Sequence, residues 1–151
     1  MQKDVDDKLE IGLEIFGSTV FEDNSTLVCK CYKVIFNLEV LVSYYELFML
    51  DDEYSDSYFL KLKWLKSRVN SKIRYKNLRS MKNLRNSLAH DIRSIYKIFT
   101  NPKSSELLID SVLENISIMI QECEEFRKNV NEDKVESTRT KIPDIQKSNL
   151  F

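Results

Sequence analysis

A chain of 151 residues is the size of one domain, and 42% apolar with 11% aromatic side chains is enough for a packed core, which excludes a wholly disordered chain. It holds two glycines and two prolines, where average usage would give about ten and seven. That scarcity excludes a turn-rich all-β fold and a glycine-rich phosphate loop on a parallel sheet. The net charge of −1 hides a segregation. Lys61 to Thr100 carries twelve basic residues and one acid, Asp91, so this segment is +11 and the remainder is −12.

The fold class expected is all-α, a four- to five-helix up-and-down bundle with a polar C-terminal tail. A first helix is predicted over about residues 3–16, with Val5, Leu9, Ile11, Leu13 and Phe16 as apolar positions and Gly17-Ser18 as its stop. A second follows Glu22-Asp23-Asn24-Ser25, whose last three residues are all fair N-caps. Its row Leu27, Cys31, Val34, Leu38, Leu41, Tyr45 and Phe48 steps by alternating fours and threes. A second row, Val28, Ile35, Val42 and Met49, repeats every seven, so this helix has the wide apolar face of a central bundle member. The acidic run Asp51-Asp52-Glu53 ends it.

A third helix is predicted from near Ser57, with Leu62, Leu65, Val69 and Ile73 inward. A break is expected between Asn77 and Asn83, since forty unbroken helical residues would be unusual. A fourth helix carries Leu84, Leu88, Ile92, Ile95 and Phe99 and stops at Asn101-Pro102. The fifth starts near Ser104 or Ser105 with Leu108, Val112, Ile116, Met119, Cys123 and Phe126 inward. Residues 1–130 make one helical domain, and residues 131–151 a polar tail, disordered or a docking strap.

Three cysteines without a CxxC spacing argue against a disulfide framework and a thiolate zinc site. With one histidine, no metal and no cofactor are expected. The opening MQKDVDDKLE is too acidic for a signal peptide. Residues 31–50 carry Lys33, Glu39 and Glu46 and would span a membrane poorly. A cytoplasmic protein with no membrane partner is the expectation.

The basic segment has two readings: a surface that attracts a polyanion such as RNA, or a face neutralised by the acidic helices of the same bundle. His90, the single histidine, lies within it. With Leu88 at zero and about 100° per residue, Leu84, Ile92, Ile95 and Phe99 fall within about 40° of it and define the core side. Asn86, Ala89, His90 and Arg93 fall between about 100° and 200°, and Arg85 near 60°. His90 therefore points away from the core its helix builds. Asn86 and His90 are one turn apart, and the small Ala89 beside them would let another helix approach, as in a dimer contact.

Such a residue set suits RNA cleavage, where the substrate brings its own nucleophile, the 2′-hydroxyl. The reaction needs a proton carrier with a pKa near neutrality, which histidine has at about 6.5 when unperturbed. It also needs fixed positive charge at the phosphate, which Arg85 can supply. In a symmetric dimer, one histidine per chain becomes two per cleft.

Arg85-Asn86-x-x-x-His90 resembles the R-x(4–6)-H motif of the HEPN superfamily, and the string LRNSLAHD matches its context in a glycine-poor helical chain. The motif covers six residues, while the helical context fits most of the chain. The resemblance implies a HEPN-like bundle and a metal-independent endoribonuclease acting as a homodimer. Arg85 and His90 of both protomers would line the interface cleft and leave a 2′,3′-cyclic phosphate and a 5′-hydroxyl. It also implies a role as a toxin of a toxin-antitoxin system or an antiviral-defence effector, with a cognate antitoxin such as a minimal nucleotidyltransferase as partner. In the toxins paired with that enzyme, a tyrosine stands two residues after the histidine. This chain has Ile92 there and departs from that subset.

The candidate site is thus Arg85, Asn86 and His90 for catalysis, with Arg93, Lys72, Lys76, Arg79 and Lys82 along the RNA backbone. Two other readings stand beside it. One is a non-catalytic HEPN-like module binding RNA, a nucleotide or a protein partner through the same surface. The other is an assembly protein whose basic helix packs on an acidic partner.

Overall fold

The computed structural model describes residues 2–17, 25–49 and 56–138. They form six helices and no strand: α1 (Gln2–Gly17), α2 (Ser25–Phe48), α3 (Tyr58–Val69), α4 (Tyr75–His90), α5 (Ile92–Thr100) and α6 (Pro102–Thr138). The all-α class is as the composition dictates. The extra helix comes from a break at Asp91, where the sequence pattern suggested one continuous fourth helix. The candidate caps Asp23 and Asn24, the acidic run 51–53 and residues 139–151 lie outside the described residues. Helix α6 continues through Thr138, so the first eight residues of the expected tail are helical.

Helix α2 is the centre. Leu27, Cys31, Val34, Leu38, Leu41 and Tyr45 are all buried, Val34, Leu38 and Leu41 completely. The second row, Val28, Ile35, Val42 and Met49, is half-buried at its flank. The alternating steps of four and three keep both rows on one side of a 3.6-residue helix, so α2 packs on α6, α3 and α4 together. Its main partner, α6, contributes Ile109, Val112, Ile116, Met119 and Cys123. Leu108, expected on that face, is 54% exposed, and Ile109 takes the buried place. Three polar contacts clamp this pair: Lys30 Nζ donates to Glu106 at 2.6 Å and to Asp110, and the Tyr44 hydroxyl donates to Glu124.

The break between the third and fourth helices falls at residues 70–74, earlier than the expected 77–83. Asn70 takes the left-handed conformation, φ 54°, ψ 52°, which asparagine tolerates better than most residues. The Asn70 and Ser71 amides return to the Lys66 and Ser67 carbonyls, satisfying the last turn of α3. Glu122 of α6 then holds the connection, accepting from the Ser71 hydroxyl and from the Lys72 amide at 2.9 Å. Ile73, read as helical, lies in this connection and is still buried.

Helix α1 packs on α5. Its row Val5, Leu9 and Leu13 is 55–61% exposed, so the periodicity that predicted the helix did not predict burial of these positions. Among the described residues no helix is long and apolar enough to cross a membrane.

Candidate functional site

Helix α4 is built for two environments. Leu78, Met81 and Leu84 are buried against α2, α3 and α6, while Tyr75, Arg79, Asn86 and His90 are exposed. At about 100° per residue, those four lie within about 60° of one another, with Lys82 at the edge of the same stripe. The stripe runs the length of α4 and ends in His90, the last residue of the helix.

The helix stops there because Asp91 serves both of its neighbours. Its amide donates to the Ser87 carbonyl, closing α4. Its side chain caps α5, accepting from the Arg93 amide at 3.1 Å, the Ser94 amide at 3.2 Å and the Ser94 hydroxyl at 2.7 Å. These hydrogen bonds hold the Asp91 carboxyl below the usual carboxylate range. His90 therefore sits at a fixed corner with its imidazole in solvent, and among the described residues it has no hydrogen-bond partner. A single helical wheel cannot be carried past this corner, although His90 and Asn86, which precede it, face outward as their spacing predicts.

Arg85 is placed differently. Five residues from His90 is about 140° around the helix, and the half-buried Arg85 guanidinium lies over the ring of Tyr58, 4.9 Å from its centroid. Its Nη1 donates to Asn86 Oδ1 at 3.3 Å. Asn86 thus stands between the other two candidates, and within one chain the structure does not bring Arg85 and His90 into contact. The Tyr58 hydroxyl is buried and has no hydrogen-bond partner among the described residues. Burial, and the nearby Glu39 charge, push it well above the usual phenol range against the opposing pull of Arg85.

Arg93, expected to track RNA, is paired with α1: its Nη2 meets Asp4 Oδ1 at 2.7 Å. Lys72 is in the connection between α3 and α4, and Lys76 and Lys82 are on α4, whereas the expected break between Asn77 and Asn83 would have put Lys72 and Lys76 on the third helix. Lys72, Lys76 and Arg79 are exposed and Lys82 half-buried.

Among the described residues, self-neutralisation of the basic segment is largely absent. Of its cations, Lys63, Lys66, Arg68, Lys72, Arg74, Lys76, Arg79, Lys82 and Arg85 form no ion pair among the described residues. Several lie over aromatic rings instead. Sequence reasoning missed those rings, Tyr58, Phe59 and Tyr75. The available signal was the placing of cations four and seven residues after Phe59 and Tyr75.

An apolar groove of about 410 Å³ opens between α2 and the α4–α5 corner, lined by Val28, Tyr32, Ile35, Leu88, Ile95 and others. Among the described residues no group of histidine, cysteine and carboxylate side chains is arranged to hold a metal ion. The chain matches no protein-family model, no curated protein and no solved structure.

Proposed function

We propose that this protein is an RNA-directed, metal-independent endoribonuclease of the HEPN type, working as a homodimer. The observation that carries the reading is the outward stripe of α4, a line with unpaired cations that ends in the solvent-exposed His90. In this scheme one His90 takes the proton from a 2′-hydroxyl, whose oxygen attacks the adjacent phosphorus. The bond to the 5′-oxygen breaks, and the second protomer's histidine gives that oxygen a proton. Arg85, steadied by Tyr58 and Asn86, stabilises the charge gathering on the phosphoryl oxygens. Two copies reconcile the roughly 140° between Arg85 and His90, because each cleft can draw the two groups from different chains. Use as a toxin or antiviral effector held in check by a cognate antitoxin, in the cytoplasm, belongs to the same proposal.

The test is cleavage of mixed RNA in excess EDTA by wild type and His90→Ala. The reading requires a cutting wild type and a mutant that folds and dimerises but does not cut. Equal cutting by both would place the activity elsewhere. A second reading, a non-catalytic RNA-binding module, is favoured by the separation of Arg85 from His90 within one chain. Steeply salt-dependent RNA binding without cleavage by the wild type would select it.

A further inference from the structure

The seam between α3 and α4 carries a second arrangement, which shares Tyr75, Arg79 and Lys82 with the outward stripe of α4 but does not include its His90 end. Phe59, Lys63 and Lys66 succeed one another along α3 at spacings of four and three, and Tyr75, Arg79 and Lys82 do the same along α4. The two rows interlock. Lys63 Nζ lies 5.7 Å from the centroid of the Phe59 ring and 5.7 Å from that of Tyr75. The Phe59 ring also has Lys82 at 5.5 Å and Arg79 at 5.9 Å, and the Tyr75 ring has Lys66 at 5.2 Å. Tyr75 is 49% exposed and Phe59 half-buried. No carboxylate occurs anywhere from Ser57 to His90, and none among the described residues pairs with these four cations.

We propose that the Phe59–Tyr75 seam, with Lys63, Lys66, Arg79 and Lys82, is a stacking platform for single-stranded polynucleotide. Cations resting on rings are the unliganded arrangement of groups that separate when a strand arrives. Lys63 and Lys82 swing to the phosphates, while Lys66 stays on the Ser71 carbonyl, to which it donates at 2.8 Å, and the ring faces that Lys63 and Lys82 leave become available to bases. Two rings set among four unpaired cations offer the alternation that a strand presents, a flat apolar base and then an anionic phosphate. A duplex hides its base faces and can engage only the charges. An acidic peptide would use the cations and leave the rings without a complement. Nothing on the seam reads a sugar, so RNA and DNA single strands share the chemistry it recognises.

This proposal does not rest on cleavage, and its test avoids it. Binding of a fluorescent oligo(dT) of about twelve nucleotides, which has no 2′-hydroxyl to be cut, is measured by anisotropy on the full chain. A matching oligo(U) and the corresponding dT–dA duplex are measured alongside. Both single strands should bind several-fold more tightly than the duplex at equal salt. Tyr75→Ala with Phe59→Leu should weaken oligo(dT) about ten-fold, while Tyr75→Trp retains binding. Lys63→Gln with Lys82→Gln should reduce the slope of log affinity against log salt by about 1.4, with circular dichroism showing each variant folded. The proposal is overturned by duplex binding as tight as single-strand binding, or by oligo(dT) affinity indifferent to the two ring substitutions. Binding of oligo(U) without oligo(dT) also overturns it, since the sugar would then be what is read. The ribonuclease reading survives any of these results, and this one survives an inactive His90.

Discussion

The guanidinium of Arg85 lies 4.9 Å from the centre of the Tyr58 ring, at the start of α3, and the hydroxyl of that tyrosine is buried with no hydrogen-bond partner among the described residues. The ring face is therefore what Tyr58 contributes, and the hydroxyl is a cost. Tyr58→Phe should raise stability by about 1 kcal/mol, because a buried donor without an acceptor disappears. On the ribonuclease proposal it should also retain RNA cleavage. Tyr58→Leu removes the cation–π contact and should lower the cleavage rate with a smaller effect on binding. Denaturant melts and single-turnover rates of the two variants separate the effects. A Tyr58→Phe variant less stable than wild type would show that the hydroxyl has a partner after all.

The Asp4–Arg93 pair ties α1 to α5 and occupies a cation otherwise suited to phosphate. Asp4→Asn should leave global stability almost unchanged, as exposed pairs contribute little. Two local readouts should move. Amide exchange in α1 should speed up, and, on the proposal of an RNA-binding surface, RNA affinity should rise about two- to three-fold as Arg93 becomes available. Unaltered exchange in α1 would mean that its apolar contacts alone hold it to α5.

Asp91 holds the corner beside His90 as an ionised N-cap. Its folded carboxyl titrates below the ordinary value of 3.8. The unfolded chain therefore binds that proton first on acidification. The cap's contribution is complete above about pH 5 and is lost as pH falls through the lower folded value. Asp91→Ala should lower Tm by a few degrees at pH 7 and flatten this acid dependence. Asp91→Asn, which still accepts from the two amides, should recover most of the loss. Urea midpoints across pH 2 to 6 would test the sign.

The three thiols differ in reach. Cys29 is exposed, whereas burial pushes Cys31 up to about 11 and Cys123 up to about 12. A thiol reagent should therefore modify one cysteine in the native protein at neutral pH and three after denaturation. Stability should be unaffected by these two groups below about pH 9 and fall above it. There the unfolded thiols ionise while the folded ones keep their protons. Rapid modification of more than one thiol in the folded protein would contradict the burial of Cys31 and Cys123.

What the sequence made legible follows from how each signal is encoded. The buried row of α2 and the outward aspect of His90 are consequences of helical periodicity, and spacing alone reveals both. The ends of helices depend on single-residue backbone geometry, which spacing does not carry. Asn70 ends α3 by adopting the left-handed conformation, with Ser71 reaching Glu122 fifty-one positions away. No local pattern encodes such a contact. Asp91 splits the fourth helix through Asp-x-x-Ser, a capping signal that was present but masked by unbroken apolar spacing on either side. The interlock of Phe59 and Tyr75 through Lys63 needed α3 and α4 to be antiparallel neighbours, a tertiary fact.

The polar clamps between α2 and α6 also have a kinetic consequence. They join residues 76 to 80 positions apart, whereas a five-residue connection joins α3 to α4. Closing the longer loop costs about 2.5 kcal/mol more chain entropy than closing the shorter one. The α3–α4 hairpin should accordingly be structured early, with α2 and α6 docking across it late. Leu62→Ala would then slow folding, and Val112→Ala would chiefly hasten unfolding. The basic seam would be in place before the core that buries its other side is sealed. A growing chain would thus expose its most positive surface to surrounding polyanions while it is still assembling.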